Sequence, residues 1–213
     1  MKRRVFTQAA LALALVASLP QALTVAWAAE EAPDVLIRRV SDEVLAAIRT
    51  DPGLKSGDVN RIMVLVDSKV MPNVNFQRMT ASAVGPAWRQ ASPEQRKRLQ
   101  DEFKTLLVRT YSGALAQVSD ESIQVKPLRA APTDNEVMVR SEVRGRGDPI
   151  QLDYRLEKTP GSGAGWKIYN LNVLGVWLVE TYRSQFAQEI SQKGLDGLIA
   201  ALADRNKANA ARK

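Results

Sequence analysis

Val137-Met138-Val139-Arg140-Ser141-Glu142-Val143-Arg144, then Gly145-Arg146-Gly147-Asp148-Pro149, then Ile150-Gln151-Leu152-Asp153-Tyr154-Arg155-Leu156-Glu157, spells out two strands and the turn between them. Successive side chains of a strand point to opposite faces. Val137, Val139, Ser141 and Val143 therefore share one face, and Met138, Arg140, Glu142 and Arg144 the other. Ile150, Leu152, Tyr154 and Leu156 repeat the pattern against Gln151, Asp153, Arg155 and Glu157. The result is a sheet with one apolar face and one polar face.

Outward from this hairpin the strands continue. Ile123 to Leu128 predicts a strand upstream. Downstream, Thr159-Pro160-Gly161-Ser162-Gly163-Ala164-Gly165 is a loop leading into a last strand, Trp166 to Leu174, which Gly175 breaks. Short polar connections between consecutive strands imply an antiparallel meander.

Beyond the strands the apolar period changes to that of helices. Val35 to Arg49 places Leu36, Val40, Val44 and Ile48 on one stripe, ended by Asp51-Pro52-Gly53. Asp58 caps a second helix with Val59, Ile62, Met63, Val66 and Val70 inward, stopped by Pro72. A short helix spans Phe76 to Val84 before Gly85-Pro86. Ser92-Pro93-Glu94-Gln95 is a capping box with proline at the first helical position. It opens a long helix to about Gln117, striped by Leu99, Phe103, Leu106, Leu107, Tyr111 and Leu115. After the strands, Val179, Tyr182, Phe186 and Ile190 form another stripe, closed by Gly194. Leu195, Leu198, Ile199 and Leu202 form a final short helix. Residues 206–213 are expected to be a polar, mobile tail. The fold class is α+β: a twisted four-stranded antiparallel sheet with helices covering one face. Periodicity leaves open whether the helices close over a solid core or an apolar cavity, because both require inward apolar residues.

The amino end has the three parts of a secretory signal. Lys2, Arg3 and Arg4 precede an Ala/Leu/Val run from Ala9 to Leu19, and Ala26-Trp27-Ala28 fits the small-x-small rule. The pattern predicts a signal peptide over residues 1–28, cleaved before Ala29. An uncleaved anchor is the alternative, but Pro20 and Gln21 interrupt a run already short of the roughly 20 residues a span needs. Arg3-Arg4-Val5-Phe6 also resembles a twin-arginine motif, which leaves the export route open. No Cys follows the apolar run to carry a lipid anchor, so the exported chain is expected to diffuse freely.

Removing 28 of the 213 residues leaves 185, one domain over 29–205, with 27 basic and 23 acidic residues and a net charge of about +4. The interleaved charges do not point to nucleic acid. There is no Cys and no His. That removes disulfides, Ser-His-Asp triads and most zinc or copper sites, and no cofactor or metal is expected. The glycine-rich loop Gly161–Gly165 joins two strands instead of opening a helix, so it lacks the context of a phosphate cradle. Asp153 and Glu157 lie on the polar strand face, where charged residues are the rule. Trp88, Trp166 and Trp177 are read as core or rim aromatics.

Two stretches carry a resemblance. One is Phe76-Gln77-Arg78-Met79-Thr80, continuing through Gly85, Trp88-Arg89, Ser92-Pro93-Glu94-Gln95 and Phe103 to Tyr111. The other is Trp166-Lys167-Ile168-Tyr169-Asn170, Gly175-Val176-Trp177-Leu178-Val179, Tyr182-Arg183-Ser184-Gln185-Phe186 and Gly194-Leu195-Asp196-Gly197-Leu198-Ile199. Together they resemble the MlaC, or toluene-tolerance auxiliary, family over about Val35 to Leu202. Asn170 stands where that family often has Asp, and Trp177 where it often has Ser; both departures bear only on local rim geometry. The resemblance implies a non-enzymatic periplasmic carrier, a monomer, with phospholipid as cargo. It further implies transfer between an outer-membrane lipoprotein–porin complex and an inner-membrane ABC transporter complex with its substrate-binding subunit, which maintains outer-membrane lipid asymmetry. It also selects the cavity over the solid core.

From apolar face and position, the expected cavity lining is Phe76, Met79, Val84, Phe103, Leu107 and Tyr111 from the helices, and Val139, Val143, Leu152, Tyr154, Ile168 and Leu171 from the sheet. Arg89, Arg144 and Arg146 are candidates to meet phosphates or acidic surfaces at the mouth. The rival readings are an enzyme acting through Asp153 or Tyr154, a carrier of another cargo (lipoproteins, hopanoids or aromatic solvents), and a solid-core binding module.

Overall fold

The computed structural model describes residues 30–116, 120–131, 133–145 and 147–211. The expected signal peptide, its cleavage site, Gln117, Arg146 and the last two residues lie outside the described residues. The helical first half comprises α1 (Pro33–Thr50), α2 (Pro52–Lys55), α3 (Val59–Leu65), α4 (Phe76–Val84) and α5 (Pro93–Ala116). A π-helical turn (Val66–Val70) and a 3-10 turn (Met71–Asn73) follow α3, and a second 3-10 turn (Gly85–Gln90) follows α4. Five strands come next: β1 (Ser122–Val125), β2 (Glu136–Arg144), β3 (Ile150–Lys158), β4 (Trp166–Val173) and β5 (Val176–Trp177). The chain ends in α6 (Leu178–Ala211), which kinks at Gly194 (φ 69°, ψ −170°).

The helix starts follow their caps. Asp58 accepts from the Asn60 and Arg61 amides. Ser92 and Gln95 satisfy each other's backbone amides at 3.0 and 3.2 Å; such a cap contributes about 1 kcal/mol. Asp51 caps the single turn of α2, where the sequence suggested only a helix end.

The sheet order is β1-β2-β3-β4-β5, antiparallel throughout. It is α+β as expected, but five-stranded, not four-stranded. Gly175 does not end the sheet. Leu174 (φ 51°) and Gly175 (φ 87°) make a two-residue turn, and Val176 returns to pair with Val173. Two successive positive φ values match the twist of a tight hairpin. The second correction concerns the carboxyl end. Asn206 begins no free tail: α6 continues to Ala211, and the buried Asn206 side chain donates to the Glu102 carbonyl and carboxylate at 2.9 and 2.8 Å.

Three apolar clusters hold these layers together. Phe76, Met79, Val84, Leu99, Phe103, Leu106, Tyr182 and Phe186 anchor the first, among α4, α5 and α6. Leu36, Ile37 and Val40 of α1 cover Val137, Val139, Leu156, Trp166 and Ile168 of the sheet in the second. Ile48, Leu54, Ile62, Leu65 and Val108 tie α1, α2, α3 and α5 in the third. Backbone packing repeats this division. α5 lies close to α6, α3, α4 and α2, whereas the sheet draws its close helical neighbours from α1 and, at β4, from α4 and α6.

Candidate functional site

The register decides which side chains share the sheet's inner face. Val139 stands opposite Tyr154, Ser141 opposite Leu152, and Val143 opposite Ile150. Tyr154 stands opposite Leu171, Leu152 opposite Val173, and Val173 opposite Val176. A bulge between Arg155 and Leu156 shifts the phase of β4, so that Ile168 and Leu171 both face inward. This face is apolar apart from Ser141 and the Tyr154 hydroxyl, but its two halves are treated differently. Toward the start of β2, Val139 and Leu156 are fully buried under α1. Toward the end of β2, Val143, Leu152 and Val173 are only half-buried. Ile150 and Val176 are 42% and 51% exposed, and Leu174 at the adjoining turn is 64% exposed. Among the described residues, an apolar half-face is thus left without a helix pressed onto it.

The twelve expected lining residues divide along the same line. Phe76, Met79, Val84 and Phe103 sit inside the first cluster, with Leu107, Tyr111 and Leu171 half-buried at its edge. Val139 and Ile168 lie inside the second, with Tyr154 at its edge. Val143 and Leu152 belong to neither cluster's buried core. Leu171 joins the two regions, because it packs on the first cluster while its cross-strand partner Tyr154 packs on the second. Ile150, Val173 and Val176 complete the open half. The alternation that selected Leu152 and Val143 also reaches Ile150. Val176 escaped because β5 did.

The hydroxyls on this face find local partners. The buried Ser141 hydroxyl donates to the Leu152 carbonyl at 2.9 Å. Burial pushes the Tyr154 hydroxyl above its ordinary value, against the hydrogen bonds of Ser141 and Ser41, so it stays protonated at neutral pH. Burial likewise raises the Tyr111 hydroxyl. Asp153 departs from expectation: it points to the other face, yet is only 5% exposed, and its carboxylate accepts from the Gln151 amide at 2.7 Å. Glu157 on the same face accepts from Asn75 at 2.6 Å and pairs with Arg78.

Asn170 shows why an amide suits its position. Its oxygen accepts from the Val179 amide at 3.2 Å, at the start of α6, while its nitrogen donates to the Glu180 carboxylate at 2.8 Å. An aspartate there would set a second carboxylate against Glu180 and lose the donor. Trp177 lies under Arg155, 4.0 Å from guanidinium to ring.

The outer faces of α4 and α6 form a second feature. An open groove of about 360 Å³ is lined by Arg78, Ala81, Ser82, Gly85, Pro86, Arg89 and Arg183. Of the three arginines expected at a mouth, Arg89 lines this groove; Arg144 pairs with Glu142 on the sheet. Arg78 is engaged by Glu136 and Glu157 and stacks 3.6 Å over Tyr169. The Arg78 hydrogen bond, with that of Tyr169, holds the Glu136 carboxyl below its ordinary 4.5. Its stabilising share is therefore present above about pH 4.5 and lost as pH falls through the lowered value. We expect the urea midpoint to fall on acidification below about pH 4.5, and Arg78→Ala to flatten that fall. An unchanged acid limb in Arg78→Ala would assign the effect to other carboxylates.

Among the described residues no helix is long and apolar enough to cross a membrane, and no group of three or more His, Cys, Asp or Glu is placed to hold a metal ion. Against known proteins, the family model described as MlaC protein matches residues 38–204. The chain belongs to the MlaC family. Among curated relatives of this MlaC-family protein, the intermembrane phospholipid transport system binding protein MlaC of Haemophilus influenzae is 26% identical over 176 residues, 82% of each chain. The toluene tolerance protein ttg2D of Pseudomonas putida is 26% identical over 185 residues, 86% of this chain and 83% of that one. Among solved structures, a phospholipid-binding protein from Ralstonia solanacearum, in complex with a phospholipid, is 46% identical. It superposes with a TM-score of 0.79 over 83% of this chain and 98% of its own.

Proposed function

We propose that this MlaC-family protein is a soluble periplasmic carrier that binds phospholipid and transports it between membranes. Its cargo's acyl chains lie in an apolar cavity between the sheet and the helices. The observation that carries the reading is the inner sheet face, predominantly apolar yet, among the described residues, covered by α1 over only one half. The names of the relatives and the phospholipid held by the Ralstonia solanacearum protein support the choice of cargo. In this reading residues 1–28 are the export signal, and the chain from residue 29 through the end of α6 is one lipid-binding domain. The monomeric carrier exchanges lipid with an outer-membrane lipoprotein–porin complex and an inner-membrane ABC transporter complex.

The energetics of such a carrier are restrictive. Burying about 30 methylenes at roughly 0.8 kcal/mol each is a gross gain of about 24 kcal/mol relative to water. A bilayer offers the same chains nearly the same gain. Net transfer therefore depends on small differences, and the carrier needs a dry apolar face more than strong polar contacts.

The test is direct. Mature protein purified from cells is denatured and extracted with organic solvent, and the extract is examined by mass spectrometry. Two-chain phospholipid near one per protein is expected. A lipid-free preparation that also takes no lipid from liposomes would overturn the reading.

A further inference from the structure

The groove on the outer side of α4 lies apart from the apolar half-face. The side of α4 that packs inward carries Phe76, Met79, Ala83 and Val84, whereas Arg78, Ala81, Ser82 and Gly85 line the groove. A lipid held against the sheet is thus separated from the groove by α4 itself. Three guanidiniums meet there from three elements: Arg78 of α4, Arg89 of the following 3-10 turn, and Arg183 of α6. Arg78 is neutralised by Glu136 and Glu157. Arg89 and Arg183 are exposed, and neither side chain has an acidic partner among the described residues.

From these observations we infer that the groove docks an acidic surface of a partner protein, with Arg89 and Arg183 receiving its carboxylates. The complement is already displayed beside them, since Arg78 takes two glutamate carboxylates at once. The groove is open to solvent, so a small anion would stay hydrated on most sides and gain little. A protein face would exclude that water and strengthen both charge-assisted pairs. The scaffold is also preorganised. α4 and α6 pack together in the first apolar cluster. Arg96 donates to the Arg89 carbonyl at 3.3 Å and so ties down the turn that carries it. Gly85 (φ 73°) sets the entry to that turn, at the end of α4, in a conformation that favours glycine.

The inference rests on the carrier reading only in that a carrier must be received by another protein, and the experiment keeps the two apart. Full mature protein is titrated into a fluorescein-labelled Glu/Ala decapeptide, and anisotropy is followed at low and physiological salt. Arg89→Glu/Arg183→Glu should weaken peptide binding by about tenfold and reduce its salt dependence. Lys207→Glu, an exposed charge reversal near the end of α6, should change neither. The lipid content of both variants, measured by extraction, should match the parent; absence of lipid from all three proteins would instead count against the carrier reading. Peptide affinity that is unaltered by the double reversal, or equally reduced by Lys207→Glu, overturns the docking surface. So does displacement of the peptide by equimolar inorganic phosphate, which would make this a small-anion site. Arginine-dependent binding to phosphatidylglycerol vesicles with none to the peptide overturns it as well.

Discussion

Leu152→Arg is expected to leave the protein folded and to strip it of the proposed phospholipid cargo. Leu152 is half-buried on the inner sheet face between Ser141 and Val173 and lies outside the buried clusters, so the fold loses little when it is replaced. The lipid loses much more. A cationic side chain set among acyl chains costs about 3 kcal/mol, even when it can bend toward water. That is roughly a hundredfold in occupancy, a loss that the proposed cargo, offered nearly the same burial by a bilayer, would not absorb. Lipid is measured by solvent extraction and mass spectrometry, and folding by circular dichroism and the thermal midpoint. Val143→Arg, one cross-strand pair nearer the open end, should act the same way. Leu152→Ala, which adds no charge, should keep a measurable fraction of the cargo. A folded Leu152→Arg protein with full lipid occupancy would remove the open half-face from the site.

The strands were legible because their alternation is broken only at Ser141: Val137, Val139 and Val143 share one face, as do Ile150, Leu152, Tyr154 and Leu156. The fifth strand was not. A two-residue hairpin with two positive φ values is usually marked by Asn-Gly or Asp-Gly. Here it is made by Leu174-Gly175, and a leucine at φ 51° is a conformation local sterics disfavour. Nothing in the string announces a return, so Gly175 looks like an end. The last turns of α6 were hidden for the opposite reason. Asn206 looks like the start of a solvated tail. It is buried because Glu102, 104 residues earlier, supplies acceptors for its amide, and Arg109 donates to its carbonyl at 2.7 Å.

The candidate site was legible by face and not by coverage. Period two assigns Val139, Leu152 and Val143 to one side of the sheet. Which of them α1 covers depends on where a distant helix comes to rest, and that packing puts Val139 in one buried cluster with Ile37 and Val40 of α1 while leaving Leu152 and Val143 outside. The groove is less visible still. Arg78 and Arg183 lie far apart in the chain, and only the packing of α4 on α6 brings them to one surface.

Phe103→Ala tests the helical half in the same quantitative way, and its effect falls on stability. Phe103 has no exposed surface and stands at the centre of an aromatic group. Its ring centroid lies 4.9 Å from Tyr182 and 5.2 Å from Phe186, both edge-on, and 5.7 Å from Phe76. It is therefore the side chain through which α5 grips α4 and α6 together. Removing a buried phenylalanine costs about 3–5 kcal/mol in transfer and cavity terms, against a total stability of about 5–15 kcal/mol for an ordinary domain. For a chain of this length the thermal midpoint should fall by about 6–20 °C. In urea the midpoint should drop with the slope unchanged. Leu107, four residues on and half-buried, should cost clearly less on truncation to alanine, because its surroundings are already partly open. Because a ligand that binds only the folded state stabilises it by mass action, added phospholipid should recover part of the Phe103→Ala loss while leaving Leu152→Arg unmoved. A loss below about 1 kcal/mol in Phe103→Ala would mean that α4, α5 and α6 are held by something other than this aromatic centre.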